Sequence, residues 1–304
     1  MLFHEPIFDG NGDGHSDILF RNPMTGDVGF WELNIDGSAS NWVPIGSSDP
    51  AWHMGGAGDF DGNGVAEVYF EKFEPSGTVA GLYHLDEVTG LFETWQPLEV
   101  HGFSSMAGAT DFNGTADFNN DGITDILMQD VGSFRFFNAT EDPYPGHTFT
   151  VGAYTGTGDF NADGKTDVIE ASETGSICFT GPDFASSFQL STFIASDYHY
   201  FGTGDFNGDG VTDILYTSSN DVGFFQCAPD GTATWQHIGS YDPSYSVCGT
   251  ADYSSSGQAE VLFQNYATGD LGYYTLHPDG SFKGWEHLGF APQGYRANAF
   301  SVAS

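Results

Sequence analysis

The sequence predicts an all-β protein, a β-propeller built from four-stranded blades. Three observations support this prediction. An acidic loop of nine residues recurs six times, and its copies begin at residues 9, 59, 117, 159, 205 and 252 of the 304. Short runs of apolar, β-branched and aromatic residues follow each loop, and no amphipathic helical pattern lies between them. Repeats of about 40 to 50 residues with four strands each are typical of propeller blades.

Each acidic loop has the pattern of a calcium-binding turn. Side chains with oxygen atoms stand at positions one, three, five and nine, and a glycine stands at position six, as in the stretch from Asp205 to Asp213. Calcium takes about six to eight oxygen ligands, which alternate residues of a curling loop can direct at one centre. A single copy could equally be a polar Asx-rich turn. Because one spacing recurs six times, we expect calcium binding.

Five loops have carboxylates and amides at all four ligand positions. These predicted ligands are Asp9, Asn11, Asp13 and Asp17; Asp59, Asp61, Asn63 and Glu67; Asp117, Asn119, Asp121 and Asp125; Asp159, Asn161, Asp163 and Asp167; and Asp205, Asn207, Asp209 and Asp213. The sixth loop, from Asp252 to Glu260, has serine at positions three and five. It offers two carboxylates instead of three, so we expect its site to be weak or empty.

Four strands are expected in each repeat, in a fixed order. The strand that leaves the loop is apolar, as in Asp213–Tyr216, and a glycine-containing turn leads to a second strand such as Val222–Gln226. A further strand has an aromatic residue at one shared position, which is Trp42, Trp95, Phe149, Phe188, Trp235 or Trp285. The last strand is rich in glycine and enters the next loop, as Tyr154–Gly158 does. We expect this strand to be innermost, where blades crowd the central channel and side chains must be small.

Two irregularities complete the repeat pattern. The interval of 58 residues before Asp117 indicates an insertion around Phe103–Asn113, with Asp117 as the first ligand of the third loop. The segment Tyr295–Val302 aligns with Tyr245–Asp252 but has no loop of its own, so it is expected to complete the first blade. A single domain over residues 1–304 with six blades follows. Seven blades remain possible if the chain is a fragment.

The charge and composition limit the partners. The chain has 42 acidic and 6 basic residues and a formal net charge of -36, so it is expected to repel nucleic acid and anionic lipid. No apolar run has the roughly 18 residues of a membrane span, and no basic region followed by an apolar one marks a signal peptide. Cytosolic calcium is too scarce for weak sites of the extracellular type, so we expect an exported, extracellular protein. The three cysteines are expected to be buried and unpaired.

The loop and the strand after it resemble the FG-GAP/VCBS repeat, which occurs in integrin α-subunit propellers and in bacterial secreted proteins. The stretch 201–215 is close to the family pattern, and the resemblance covers essentially the whole chain. It implies Ca²⁺ in the loop between the first and second strands of a blade, with about five sites and a weak or empty sixth. Loop one departs from the pattern because Gly10 stands where the other loops have an aromatic residue. Members include adhesion modules, lectins with sugar sites between blades and a few lyase- or dehydratase-type enzymes, so the family alone does not fix the function.

Aromatic residues that precede the innermost, glycine-rich strand, roughly at a blade end, are the candidate ligand-binding set. They could stack on sugar rings, although packing at the blade rim is the competing interpretation, and they are Trp52, Phe103, Tyr154, Tyr200, Tyr245 and Tyr295. The recurring tryptophans are interpreted as packing. No catalytic residues are predicted, and the insertion with His101 and Met106 is the best place for a unique site. We therefore expect a carbohydrate-binding, lectin-like module or an adhesion module for a cell-surface protein. The alternative is a secreted propeller enzyme of the lyase or dehydratase type that acts on sugars or polysaccharide.

Overall fold

The computed structural model describes residues 8–74, 77–87, 89–98, 111–130, 133–138, 148–149, 153–172, 175–180, 186–190, 192 and 197–298. Every regular element within these ranges is a β-strand. The described strands form six antiparallel sheets of four strands each, and each sheet is one blade. The predicted all-β propeller fold is therefore confirmed.

The strands follow the predicted order within each repeat. In chain order they are β1 (Ile18–Arg21), β2 (Asp27–Leu33), β3 (Ala39–Ser47), β4 (His53–Gly58), β5 (Glu67–Glu74), β6 (Gly77–Leu85), β7 (Phe92–Leu98), β8 (Asp111–Ala116), β9 (Asp125–Asp130), β10 (Ser133–Asn138), β11 (Thr148–Phe149), β12 (Ala153–Gly158), β13 (Asp167–Ser172), β14 (Gly175–Thr180), β15 (Ser186–Leu190), β16 (His199–Gly204), β17 (Asp213–Thr217), β18 (Asp221–Cys227), β19 (Ala233–Ser240), β20 (Ser246–Ala251), β21 (Glu260–Gln264), β22 (Asp270–Leu276), β23 (Phe282–Phe290) and β24 (Arg296–Ala297). The sheets have the orders β24-β1-β2-β3, β4-β5-β6-β7, β8-β9-β10-β11, β12-β13-β14-β15, β16-β17-β18-β19 and β20-β21-β22-β23. We call the strands of each sheet, in this order, inner, second, third and outer.

The glycine-rich strands lie innermost, as predicted, because β4, β8, β12, β16 and β20 contact one another in succession. Threonine hydroxyls connect neighbouring inner strands. Thr115 Oγ1 donates to the carbonyl of Ala57 at 3.0 Å, Thr203 Oγ1 to that of Thr157 at 2.7 Å, and Thr250 Oγ1 to that of Thr203 at 2.9 Å. The inner strands thus satisfy part of their hydrogen-bonding capacity across blades as well as within them.

The last strand closes the ring, as the sequence predicts. β24 pairs antiparallel with β1, with Ala297 opposite Phe20 and Arg296 opposite Arg21. The amide of Asn298 also donates to the carbonyl of Leu19 at 2.7 Å. The first blade therefore combines strands from both ends of the described chain, which leaves β1 without a free edge.

The hydrophobic core lies between adjacent blades. Between the first two blades, Leu19 and Phe30 join Met54 and Phe70 in one cluster of fully buried side chains. The last two blades share an equivalent cluster that includes Phe206, Phe224, Val261 and Phe263. Because each blade buries its apolar faces on its neighbours, an isolated blade would expose them to water.

Tryptophans of the outer strands lie over glycines of the third strands. A Cβ atom built on the glycine would come within 2.2 to 2.5 Å of the indole, far inside van der Waals contact, in the pairs Gly29–Trp42, Gly81–Trp95, Gly223–Trp235 and Gly272–Trp285. The recurring tryptophan therefore packs within its own blade, and the glycine opposite it provides the space.

The described part of the predicted insertion differs from expectation. Residues 99–110, with Phe103, His101 and Met106, lie outside the described residues. Asp111–Asn113 is not part of an insertion, because it forms the start of β8 and pairs with β9 through Asp111 opposite Gln129. This register places Asp117 directly after the inner strand, where the loop begins, as predicted.

All three cysteines are buried and unpaired, as the sequence predicts. Within the described residues, no helix has the length and apolar composition needed to span a membrane.

Candidate functional site

Five of the acidic loops connect the inner to the second strand of a blade, and the first loop leads into β1, the second strand of its blade, so all six lie side by side on one face of the ring. Backbone hydrogen bonds join neighbouring loops, with the amide at position eight of one loop donating to the carbonyl at position one of the preceding loop. The described pairs are Ala66 to Asp9 (2.8 Å), Thr124 to Asp59 (2.7 Å), Thr212 to Asp159 (2.8 Å) and Ala259 to Asp205 (2.7 Å). Ser255 Oγ and His15 Nδ1, 2.8 Å apart, connect the sixth loop to the first. These neighbouring loops are therefore in direct hydrogen-bonding contact.

The first aspartate of each loop holds the turn together. One of its carboxylate oxygens accepts the amide hydrogen of the glycine at position six, at 2.7 to 2.9 Å, and these glycines are Gly14, Gly64, Gly122, Gly164, Gly210 and Gly257. The residues at positions four and six both have positive φ in every loop. This backbone curls the chain into a tight turn, the conformation that a loop with ligands at alternate positions requires.

The acid at position nine lies at the base of the loop. It is at most 3% exposed in all six loops, and the residues are Asp17, Glu67, Asp125, Asp167, Asp213 and Glu260. One oxygen accepts the amide hydrogen at position two, from Gly10, Phe60, Phe118, Phe160, Phe206 and Tyr253 respectively. The position-five side chains are exposed instead, so the polar side chains of each loop extend from its buried base to the solvent.

Burial raises the pKa of these position-nine acids strongly. The pKa rises to about 8 for Asp17, Glu67 and Asp213, and to about 7 for Asp125 and Glu260. Desolvation is the largest cause, and repulsion from the other carboxylates of the same loop adds to it. A buried carboxylate of this kind favours either a proton or a bound cation.

The second oxygen of the position-nine acid has different partners in different loops. Asp17 Oδ1 and Asp213 Oδ1 each accept a backbone amide hydrogen at 2.9 Å. Glu67 Oε1 and Asp125 Oδ1 are buried and have no hydrogen bond. In the sixth loop the hydroxyls of Ser254 and Ser256 donate to Glu260 Oε1. In the sixth loop these hydroxyl hydrogens interact with the Glu260 carboxylate, as a bound metal ion would in the other loops. A cation would therefore stabilise the sixth loop less.

The donor set of the first five loops fits calcium. The side-chain donors of the loops are carboxylate and amide oxygens, and the two orphan oxygens of Glu67 and Asp125 point to a missing positive partner. These loops would hold the ion through the residues that the sequence predicts. Calcium binding itself stays a prediction.

Loop one compensates for the glycine at its second position. A Cβ atom on Gly10 would lie 2.8 Å from both Phe8 Cε1 and Phe30 Cζ. The ring of Phe8, buried and edge-to-face with Phe30 at 5.3 Å between centroids, thus takes the space that an aromatic residue at position two fills in the other loops.

The candidate sugar-binding aromatics fall into two groups. Trp52, Tyr245 and Tyr295 are half-buried just before an inner strand, as predicted. Each packs edge-to-face on the outer-strand tryptophan of its own blade, in the pairs Trp52–Trp95, Tyr245–Trp285 and Tyr295–Trp42, with ring centroids 5.2 to 5.8 Å apart. This contact corresponds to the rim-packing interpretation.

The other three aromatics do not share that position. Tyr154 and Tyr200 lie inside β12 and β16, so their predicted place before the inner strand is wrong. The true counterpart in the fifth blade is Tyr198, which packs edge-to-face on Trp235 at 5.2 Å. Phe103 lies outside the described residues.

Sequence reasoning missed the exposed aromatic groups at the rims of the second and sixth blades. In the second blade Tyr83 packs between Phe92 and Trp95, with centroids 4.8 and 5.4 Å away, and in the sixth blade the same arrangement recurs as Tyr274, Phe282 and Trp285. Phe92, Phe282 and Trp285 are 42%, 44% and 37% exposed. Tyr83 and Tyr274 also donate hydrogen bonds to Ser47 O and Ser240 O of the preceding blade, so both groups lie at a junction between blades. The signal that could have identified them is a pair of aromatic residues three positions apart in the outer strand, Phe92 with Trp95 and Phe282 with Trp285.

Residues 159–216 match the family model for the FG-GAP-like repeat. This chain contains an FG-GAP-like repeat. The resemblance found in residues 201–215 is thereby confirmed. No curated protein sequence matches the chain significantly.

Solved structures with a similar fold include binding proteins. A lectin from Agrocybe aegerita, described for specific recognition of non-reducing terminal N-acetylglucosamine, has a TM-score of 0.61 and 15% identity, over 96% of this chain and 84% of the lectin. A chain of a nidogen/laminin complex has a TM-score of 0.55 and 12% identity, over 92% of this chain and 95% of the other. A chain of the Tc holotoxin pore of Photorhabdus luminescens has a TM-score of 0.54 and 16% identity, over 86% of this chain but 13% of its own length. At these identities the similarity shows the propeller fold alone.

Proposed function

We propose that this protein is a calcium-stabilised extracellular binding module. The ligand that we propose is a carbohydrate, and the second candidate is a cell-surface protein. The observation that carries the proposal is the ring of joined acidic loops, whose position-nine carboxylates are buried beneath other acids of the same loop. Such loops fit a cation and, once filled, make one face of the propeller rigid.

Bound calcium would stabilise the folded state of this module. When the loops are empty, the carboxylates of each loop repel one another, and buried oxygens such as Asp125 Oδ1 have no partner. Binding to the folded chain alone stabilises it by mass action. We expect about five calcium ions per chain, with the sixth loop weak or empty because serine hydroxyls already neutralise Glu260.

The same chemistry supports our proposal of an extracellular location. Loop sites in extracellular modules have dissociation constants of about 10⁻⁴ to 10⁻³ M, which cytosolic calcium would not fill. Millimolar calcium outside the cell would fill them.

The exposed aromatic groups at the blade junctions are the ligand-binding surface that we propose. Phe92 and Phe282 expose more than two fifths of their surface, and each packs on a tyrosine that is hydrogen-bonded to the preceding blade. An apolar ring of this kind can stack on a sugar face, and two equivalent groups on one rigid ring offer avidity without tight binding at either. A lectin and a nidogen/laminin complex chain share the fold, so the same scaffold serves sugar and protein recognition elsewhere.

A glycan array with and without calcium tests this proposal. Any hit is followed by calorimetry on Phe282→Ala and Phe92→Ala, with Phe73→Ala, which is 48% exposed outside the two groups, as the matched control. We expect the first two variants to weaken binding by about tenfold, as loss of an anchoring ring does, and the control to bind normally. Binding of no glycan together with capture of one specific surface protein would favour the adhesion function. Release of a modified sugar would instead favour an enzyme.

A further inference from the structure

The second loop differs from the others in its donors. It has a carboxylate at position three, Asp61, and an amide at position five, Asn63, whereas loops one, three, four and five have the reverse. Extending the hairpin register by one residue beyond the pair Val68–Tyr83 places His84 opposite the position-nine acid Glu67. The corresponding residues in the other blades are Glu32, Asn138, Thr180, Gln226 and Thr275. Among these six hairpin positions, the one in the second blade alone has an imidazole.

Three side chains converge in this loop. His84 Nδ1 lies 3.4 Å from Asp61 Oδ2 and 3.5 Å from Glu67 Oε1, and one donor atom from each residue lies within 4.8 Å of the others. Glu67 is fully buried, and its Oε1 has no hydrogen bond, although its Oε2 accepts the Phe60 amide hydrogen at 2.8 Å. A buried carboxylate oxygen without a donor, aimed at a ring nitrogen, points to a ligand between them.

The orientation of His84 is fixed from its other side. His84 Nε2 lies 2.8 Å from Gln96 Oε1, an acceptor, so Nε2 has the hydrogen and donates it. In the neutral imidazole, the lone pair of Nδ1 then faces the two carboxylates. A metal-bound histidine usually binds the ion through one ring nitrogen and donates a hydrogen bond from the other, which fixes the orientation of the ring.

We propose that the second loop binds a first-row transition-metal dication of the zinc class, with Asp61, Glu67 and His84 as ligands. Calcium prefers oxygen donors, whereas imidazole suits zinc, copper and nickel. Ligand atoms around a tetrahedral zinc ion with bonds of about 2.0 to 2.1 Å lie roughly 3.3 Å apart, close to the two distances from His84 Nδ1. The exposed side of Asp61 leaves room for water as a further ligand. The proposal does not depend on calcium in the other loops.

Zinc titration in excess calcium, followed by elemental analysis after desalting, tests the assignment. The wild-type chain is expected to retain one zinc ion and, if calcium fills the loops, to lose one calcium ion. His84→Thr places at this position the residue that the sixth blade has there, so the variant is expected to fold. Its zinc affinity should fall at least about tenfold with no loss of calcium ions. The control is His287→Gln, which removes an exposed histidine 2.8 Å from Asp270 and should leave zinc binding unchanged.

Two results would overturn the proposal. One is equal zinc retention by His84→Thr and wild type, since the ion would then be an ordinary occupant of an acidic loop. The other is no zinc retention by wild type, in which case His84 serves only as an ion-pair partner of the two carboxylates. Nuclear magnetic resonance of the imidazole nitrogens in wild type gives an independent reading if the variant fails to fold. Zinc should shift the Nδ1 resonance of one histidine, and a spectrum unchanged by zinc would contradict the site.

Discussion

Ala162 shows how strongly the acidic loop constrains single residues. Position four has positive φ in all six loops, and three loops have glycine there. Asn120, Ala162 and Ser255 adopt the same left-handed conformation with φ of 62°, 58° and 51°. Asparagine tolerates this region through local hydrogen bonds, but alanine has no such compensation. The fourth loop therefore contains local backbone strain that the turn imposes.

Replacing Ala162 with glycine should relieve that strain. We expect Ala162→Gly to raise the free energy of unfolding by about 0.5 to 1 kcal/mol, the conformational penalty less the added entropy of the unfolded chain. Urea unfolding at fixed calcium concentration measures the change. The control is Gly164→Ala, two residues on, where φ is +79° and the substitution should destabilise. Equal stability of wild type and Ala162→Gly would show that the loop bears no strain there.

The buried position-nine acids predict an unusual pH dependence for the calcium-free protein. Their pKa is about 8 in Asp17, Glu67 and Asp213, against an ordinary value near 4 in the unfolded chain. Between these values the folded state binds more protons than the unfolded state, so the free energy of unfolding falls as the pH rises. This contribution is fully present below about pH 4 and is lost as the pH rises through about 8.

Thermal unfolding of calcium-free protein across pH 5 to 9 tests this dependence. We expect the melting temperature to fall over this interval without calcium. With millimolar calcium the added stability should instead grow with pH, because protons and calcium compete for the same carboxylates. A calcium-free melting temperature that rises between pH 5 and 8 would contradict the burial of these groups.

At the level of the strand pair, a glycine of the third strand packs against a tryptophan of the outer strand in four blades. A Cβ atom on Gly272 would lie 2.4 Å from Trp285 Cζ2 and 2.5 Å from the carbonyl of Glu286. The contact with Trp285 involves a side chain, which a substitution can make smaller. The contact with Glu286 involves a backbone carbonyl that is fixed in the sheet. The sequence pattern shows only that both residues recur, not that one accommodates the other.

Gly272→Ala should therefore destabilise the sixth blade. We expect a loss of more than about 2 kcal/mol in the free energy of unfolding, from overpacking against the indole. The double variant Gly272→Ala with Trp285→Leu should lose less than the sum of the two single changes, because the smaller side chain leaves room for the methyl group. Chemical unfolding of the four proteins gives the coupling. Additive losses would mean that the ring and the glycine pack independently.

The predictable part of the fold is the part that the repeat encodes locally. Loop position, strand order and the inner place of the glycine-rich strand follow from spacing and residue type. The register of the aromatic residues does not, because Tyr198 and Tyr200 both precede the fifth loop and only the pairing of Tyr200 with Tyr216 separates them. The role of His84 was equally hidden, since it lies 17 residues beyond Glu67 and reaches the loop through the hairpin.

For the whole molecule, the ring of loops concentrates negative charge on one face. The formal net charge is -36, and five calcium ions would add ten positive charges and bring it to about -26. In the described residues, backbone hydrogen bonds join loops one to three and loops four to six, and the side chains of Ser255 and His15 connect the sixth loop to the first. Filling one loop should thus favour the geometry of the next, since the same hydrogen bonds order both.

Removal of calcium should destabilise the entire propeller and not one blade alone. At millimolar calcium, a site with a dissociation constant of about 10⁻⁴ M contributes about 1.4 kcal/mol, so five such sites together should raise the melting temperature by about 10 °C. Calorimetry with and without chelator measures this shift, with magnesium as the control ion, because it fits a flexible seven- or eight-oxygen site poorly. Refolding from urea should likewise become slower and less complete as calcium falls, because the chain must bring its like-charged loops together without a counterion. Equal melting temperatures, or equally complete refolding in chelator, would show that the hydrophobic clusters between blades hold the ring without calcium.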